Sequence, residues 1–335
     1  MLKTVKIKFQ NGLDFLTAKA EILNGLNTLF DFRESENPDF IVFGPYGNDI
    51  PEKGNYTRIG YFCENVKPDF SCCEWAFGIP GEEMINRSNY KRIQWHGFDP
   101  KNLIKPTETD TESILNEKTK FCNFLYSNPV HYREAFFKQL NKYKKVDAPG
   151  SSMNNMPGID HLCPGNKWDV KRSFLKDYKF TIAFENETFP GYQTEKLYDA
   201  MLAGSLPIYF GDPNIDLVFN TKSFVHARDY LQINQNLFVD WLEKNCQQDF
   251  EDIRPQFYHS PINRIKRHLK MSGRKLKVNL QFNKTGLSDL VDRIIELDKN
   301  PELYLQYVKQ PWLNQNTVPE SVSTKSQWIK IFNSR

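Results

Sequence analysis

Residues 178–212 read YKFTIAFENETFPGYQTEKLYDAMLAGSLPIYFGD, and the order of residue types in this stretch decides the fold. Residues 179–184 form a short apolar and aromatic run of strand length. A polar loop follows, punctuated by Asn186, Pro190 and Gly191. Thr194 is placed to cap a helix in which Leu197, Ala200, Met201 and Gly204 fall on one face. Gly204 suits the residue that ends this helix, and Leu206–Phe210 reads as the next strand. The result is a strand–helix–strand unit whose loop lies at the carboxyl end of its first strand. In open parallel sheets that is the edge where ligands bind.

Glu195 and Lys196 stand in the first turn of this helix, where free backbone N–H groups and the macrodipole favour an anion. Lys196 adds a full positive charge to a place already suited to phosphate. A carboxylate would repel phosphate, so Glu195 is better matched to sugar hydroxyls, from which it accepts hydrogen bonds. An ordinary solvated first turn carries the same residues, so Thr194-Glu195-Lys196 alone leaves both readings open.

The longer string is more specific. Phe184-Glu185-Asn186, then Gly191-Tyr192, then Thr194-Glu195-Lys196, then 207–213 (PIYFGDP) resembles the donor-binding signature of the α1,3/4-fucosyltransferases, glycosyltransferase family 10. The likeness continues into 220–225 (NTKSFV). It implies an α/β chain of GT-B type, two Rossmann-like domains facing across a cleft. It also implies transfer of fucose from GDP-fucose to a hydroxyl of N-acetylglucosamine, with inversion at the anomeric carbon. The loop at 187–190 departs from the family pattern, which bears on donor affinity.

Length and composition fit that expectation. A chain of 335 residues can bury a large core and suggests two domains. A net charge of +3 is too small to argue for nucleic acid. The first fifteen residues lack an apolar run of signal-peptide length, and no segment approaches a membrane span. The likeness is to the soluble bacterial form, so a cytoplasmic location is expected, peripheral to the inner membrane if the basic run at 263–277 meets anionic lipid. The six cysteines show no zinc spacing and are expected to be reduced thiols.

In the amino-terminal half, residues 5–9, 39–43, 57–63 and 75–79 read as strands. Glu64 ends the third of these. The family's general base is a glutamate followed by asparagine at such a strand end, shortly before Pro-x-Phe, and 64–70 (ENVKPDF) matches it. By residue type alone Glu64 reads as a plain loop carboxylate, and it is the resemblance that makes it the base. Glu82, after 75–79, is the second candidate. Trp95 and His96 suggest an acceptor pocket.

Residues 105–118 read as a linker. The domains are therefore expected at 1–117 (acceptor) and 118–315 (donor), with a tail, 316–335, packing back on the first. Arg133 follows a strand and lies in the first turn of a helix with Phe136, Phe137 and Leu140 on one face. It occupies the place of the family's diphosphate-binding arginine, and a guanidinium can clamp two phosphate oxygens. The resemblance places Asn186 and Tyr192 beside the donor as well, with Arg133, Glu195 and Lys196. No Asp-x-Asp pair stands at a strand end, and two cations can replace a divalent metal at a diphosphate, so no metal is expected. The expected partners are GDP-fucose and an oligosaccharide acceptor containing N-acetylglucosamine, with no nucleic acid. Two other readings stay open: the same fold with another nucleotide-sugar, and a nucleotide- or glycan-binding protein without turnover.

Overall fold

The structure, a computed structural model, describes residues 2–95, 98–106, 111–160, 167–254, 260–282 and 286–335. His96, 161–166 and the linker residues 107–110 lie outside them. The chain divides into two compact units, both discontinuous. The first is Met1–Asp99, Asn236–Lys277 and Pro319–Arg335; the second is Pro100–Gln235 and Val278–Val318.

In chain order the first unit opens with β1 (Lys3–Gln10), α1 (Phe15–Glu21), β2 (Phe30–Glu34), β3 (Phe40–Phe43) and β4 (Thr57–Phe62). It continues with β5 (Val66–Lys67), β6 (Trp75–Gly78), α2 (Glu82–Ile85) and β7 (Tyr90–Arg92). Six of these strands form a parallel sheet in the order β2-β1-β3-β4-β6-β7. β3 is buried along its whole length and β4 from Arg58 onward, as expected for central parallel strands covered on both faces. β1 buries only Val5, Ile7 and Phe9, every second residue.

The second unit follows with α3 (Thr111–Glu117), β8 (Lys120–Asn123), α4 (His131–Tyr143), β9 (Val146–Asp147) and α5 (Lys167–Lys176). Then come β10 (Tyr178–Phe184), α6 (Glu195–Leu202), β11 (Leu206–Phe210) and β12 (Val225–His226). Its parallel sheet runs β12-β11-β10-β8-β9. The strand–helix–strand reading of 178–212 holds. Gly204, at φ +64°, terminates α6 in a left-handed conformation that suits glycine.

The remaining elements are α7 (Leu237–Cys246), β13 (Gln248–Asp249), α8 (Phe250–Ile253), α9 (Pro261–Phe282), α10 (Ser288–Lys299), α11 (Pro301–Val308) and α12 (Lys325–Phe332). Here the expected domain limits need correction. The boundary falls at 99/100 rather than 117/118, and residues 236–277 belong to the first unit instead of the second. The reason is packing. β13 pairs with β5, and Phe250 is buried against Phe62 and Phe43, with ring centroids 4.7 and 6.3 Å away. Part of the expected linker is helix α3. In the carboxyl-terminal segment, Trp328 stacks on Phe77 at 4.2 Å, and Phe332 meets Phe30, Phe32 and Phe40 at 5.2–5.4 Å.

Candidate functional site

The donor-type loop is built on the last rungs of β10. The Glu185 amide donates to the Phe210 carbonyl at 2.7 Å, extending the ladder one residue past the strand. Glu185 is thereby fixed at the carboxyl edge, fully buried. Its carboxylate accepts from the Thr194 amide and the Thr194 hydroxyl, each at 2.8 Å, and from Lys196 Nζ at 3.1 Å. Lys196 also donates to Thr194 Oγ1 at 2.7 Å, and the Tyr132 hydroxyl donates to the Glu185 carbonyl. A buried carboxylate needs such a full set of partners. Gly211 is required beside it: a Cβ there would stand 2.5 Å from Glu185 Cγ and 2.6 Å from the Tyr209 hydroxyl. Thr194 holds the helix-cap position but turns its hydroxyl to Glu185 instead of the α6 amides.

Electrostatics keep both ends of this turn charged. Burial depresses the Lys196 ammonium, but Glu185 and Glu195 outweigh it and leave its pKa above the ordinary value. Burial pushes the Glu195 carboxyl up, while Lys196 and Lys171 more than reverse this and hold it at about 2. Lys171, 3.4 Å from Glu195, also pairs with the buried Asp199 at 2.8 Å. Glu195 remains partly exposed and ionised, so it can accept hydrogen bonds from hydroxyl groups.

Arg133, expected as the diphosphate-binding arginine, stands in the first turn of α4. It is fully buried, lying over the Tyr126 ring with its guanidinium carbon 3.6 Å from the centroid. Its fork donates to Asn186 Oδ1 at 2.9 Å, the Asn128 carbonyl at 2.6 Å and the Phe184 carbonyl at 3.3 Å. Tyr126 brackets Phe184 as well, accepting from its amide at 2.7 Å. Arg133 therefore braces Asn186 and the end of β10. Tyr192 sits on the same loop, its amide bonded to the Phe189 carbonyl at 3.0 Å.

Of the residues expected at the donor, the structure brings Arg133 to Asn186, and it sets Glu195 and Lys196 side by side. Glu185, Thr194, Tyr126 and Lys171 were not among them. Glu185 lay inside the Phe-Glu-Asn string, but no spacing rule reveals that a strand-end carboxylate will be buried against a lysine eleven residues on.

The base candidates lie in the first unit. Glu64 follows β4, is exposed, and accepts a hydrogen bond from the Tyr46 hydroxyl. Burial and then the adjacent carboxylate push the Tyr46 phenol well above its ordinary range, so it stays a donor. Glu82 begins α2 and is committed elsewhere: it pairs with Lys91 at 2.8 Å and accepts from the Arg92 amide at 3.3 Å. A cavity of about 610 Å³ in the second unit is lined by Lys105, Lys118, Ser205 and Leu206. It sits at the amino end of β11, the wrong end of a parallel sheet for the donor. Among the described residues, no three His, Cys, Asp or Glu side chains group as metal ligands, Cys63, Cys72, Cys73, Cys122 and Cys246 are free, and no helix is long and apolar enough to cross a membrane.

Two family models match. Residues 7–98 fit the α-(1,3)-fucosyltransferase FucT N-terminal domain, and residues 115–251 fit the C-terminal part of glycosyltransferase family 10 (fucosyltransferase). The chain belongs to glycosyltransferase family 10. The second match contains the whole Glu185–Lys196 turn.

Among relatives of this family-10 chain, the α-(1,3)-fucosyltransferase FucT of Helicobacter pylori is 27% identical over 63% of the chain and 52% of its own length. α-(1,3)-Fucosyltransferase B of Drosophila melanogaster is 32% identical over 47% of the chain and 35% of its own length. The human 4-galactosyl-N-acetylglucosaminide 3-α-L-fucosyltransferase 9 is 28% identical over 42% and 41%. The matched part thus spans about half or less of these relatives. A crystal structure of an α1,3-fucosyltransferase with GDP-fucose superposes with a TM-score of 0.61 at 20% identity, covering 100% of this chain and 90% of that one. A second α1,3-fucosyltransferase structure gives 0.63. The fold is therefore of the GT-B class.

Proposed function

We propose that this chain transfers L-fucose from GDP-fucose to O3 of N-acetylglucosamine in an N-acetyllactosamine-type glycan, inverting the anomeric centre. The observation that carries the reading is the turn in which Glu185 orders Thr194 and Lys196 at the carboxyl end of β10. The names of the relatives, and the GDP-fucose complex of the solved neighbour, support the donor and the linkage.

In this mechanism the acceptor oxygen attacks C1 of fucose as the bond from C1 to the β-phosphate oxygen breaks. The acceptor proton passes to the Glu64 carboxylate, and the electron pair leaves with GDP. Charge developing on the β-phosphate is met by Lys196 and the α6 amino terminus. Arg133 contributes positive charge from behind the loop and holds Asn186, while Glu195 accepts from sugar hydroxyls and Tyr192 lines the donor. Glu64 is favoured over Glu82 because Glu82 is already paired with Lys91. Each charged hydrogen bond to the leaving group is worth roughly 1.5–3 kcal/mol, so loss of Lys196 is expected to cost on the order of 10- to 100-fold in rate.

The test is transfer from GDP-fucose to N-acetyllactosamine in EDTA by wild type, Glu64→Ala and Glu82→Ala. Activity that disappears only in Glu64→Ala is the expected result. Turnover with GDP-mannose or a UDP-sugar in place of GDP-fucose would overturn the donor. GDP binding without turnover on any N-acetylglucosamine acceptor would favour a non-catalytic protein.

A further inference from the structure

Over residues 261–277 helix α9 turns charged side chains inward, whereas its last turn packs apolar ones, with Phe282 stacked on Tyr132 at 4.5 Å. The helix's 22 residues contain seven lysines and arginines and no acidic residue. A cationic amphipathic helix on a soluble domain ordinarily turns its apolar stripe to the core. Here the inward positions are charged: Lys270 pairs with Asp249 and Asp252, and the buried Lys277 lies 3.4 Å from Glu243 on α7. The aliphatic stripe points to solvent. Ile262, Ile265 and Leu269 are 77%, 62% and 65% exposed, and Leu276 continues the line. Spacings of three, four and seven residues put all four on one face of a helix, over about 21 Å of its length. Exposed Arg264, Lys266, His268 and Lys275 flank them.

The neighbouring helix carries exposed apolar residues of its own. α7 packs against α9 where Gly273 approaches Cys246 and Leu242. It leaves Leu237, Phe238 and Trp241 at least half exposed, with the rings of Phe238 and Trp241 parallel within 5°. An exposed apolar patch rimmed by polar residues marks an interaction surface.

We propose that the outer face of α9, with Leu237, Phe238 and Trp241, seats on an anionic lipid bilayer. The aliphatic side chains enter the boundary between headgroups and acyl chains, and the flanking cations meet lipid phosphates. The charge pattern selects this occupant over a second copy. Self-complementary pairing through this face would set one row of cations against another. The inference goes beyond sugar transfer and stands on a surface that the transfer reading does not use. Its consequence is that acceptors carried on lipid reach the enzyme at raised local concentration.

The experiment is co-sedimentation of the full chain with phosphatidylcholine vesicles and with vesicles of 70% phosphatidylcholine and 30% phosphatidylglycerol. Wild type, Ile265→Glu/Leu269→Glu and Lys266→Glu/Lys275→Glu are compared, with circular dichroism to verify folding. Expected is binding to the anionic vesicles only, weakened by 0.5 M salt. The aliphatic variant loses it, and affinity falls at least roughly fivefold for each cation replaced. Transfer to a soluble disaccharide serves as a separate readout and stays unchanged in both variants, so failure of the membrane inference is distinguishable from failure of the transfer reading. Absence of wild-type binding to anionic vesicles overturns the proposal. So does a wild-type dimer in solution that Ile265→Glu/Leu269→Glu converts to monomer, which would assign the face to a second copy.

Discussion

Lys196 Nζ lies 3.1 Å from a carboxylate oxygen of Glu185, and Glu185 has no exposed surface. Removing one partner of such a pair leaves an uncompensated charge in a low-dielectric place. Lys196→Ala should therefore lower unfolding free energy by about 3–5 kcal/mol, read by urea denaturation. Glu185→Gln/Lys196→Met should cost less than the sum of its single variants, because both singles suffer from the same orphaned group. Additive costs would show that the pair is not coupled.

The Tyr46–Glu64 hydrogen bond makes a separate prediction about rate. Glu64→Gln should lower kcat by roughly 10²- to 10⁴-fold with little change in KM for GDP-fucose, since a base acts on the proton and not on donor binding. Tyr46→Phe keeps the carboxylate and loses only its orientation, so a smaller fall in kcat is expected. Steady-state kinetics with both substrates varied checks this. A raised donor KM at unchanged kcat would remove Glu64 from the base role.

Gly211 tests the rigidity of the turn. Alanine there would press within 2.5 Å of Glu185 Cγ, a side chain that is fully buried and held by Thr194 and Lys196. Overpacking of this kind costs about 1–3 kcal/mol. GDP binding by calorimetry should weaken in Gly211→Ala alongside the fall in melting temperature. Unchanged GDP affinity would detach the Glu185 turn from the donor.

Trp328 tests what holds the first unit together. Its ring stacks on Phe77 of β6 at 4.2 Å and is buried almost completely. Trp328→Ala should cost about 3–5 kcal/mol in chemical denaturation, the range for a large aromatic deleted from a core.

Much of this was legible because it is local. The 178–212 stretch carries strand period, breakers and a helix stop in one window, and β10, α6 and β11 form as read. β1, β3, β4 and β6 announce themselves the same way. What escaped depends on contacts distant in sequence. Nothing in 236–277 states that Phe250 will pack against Phe43 and Phe62, about two hundred residues earlier. Arg133 was correctly placed in the first turn of α4, yet its burial over Tyr126 depends on which way the side chain turns. The outward stripe of α9 runs against the usual rule, and its basic composition gave no hint of which face would be covered.

Lys171 offers a test by pH, because one ammonium serves two carboxylates of unlike behaviour. Glu195 titrates at about 2 in the folded chain against an ordinary 4.5, with burial raising it and the Lys196 and Lys171 charges lowering it further. A carboxyl depressed on folding contributes stability that is complete above the unfolded value and is lost as pH falls through the folded one. That window runs from about 4.5 to about 2. Asp199 has the opposite sign: burial raises its pKa despite Lys171, so its ionisation opposes folding at neutral pH. Lys171→Met removes the cation that favours both charged forms. Its melting temperature should lie below that of wild type at pH 7, and the two curves should converge as pH falls through about 2, below which neither carboxylate needs a partner. Parallel curves across that range would mean that Lys171 acts through packing rather than charge.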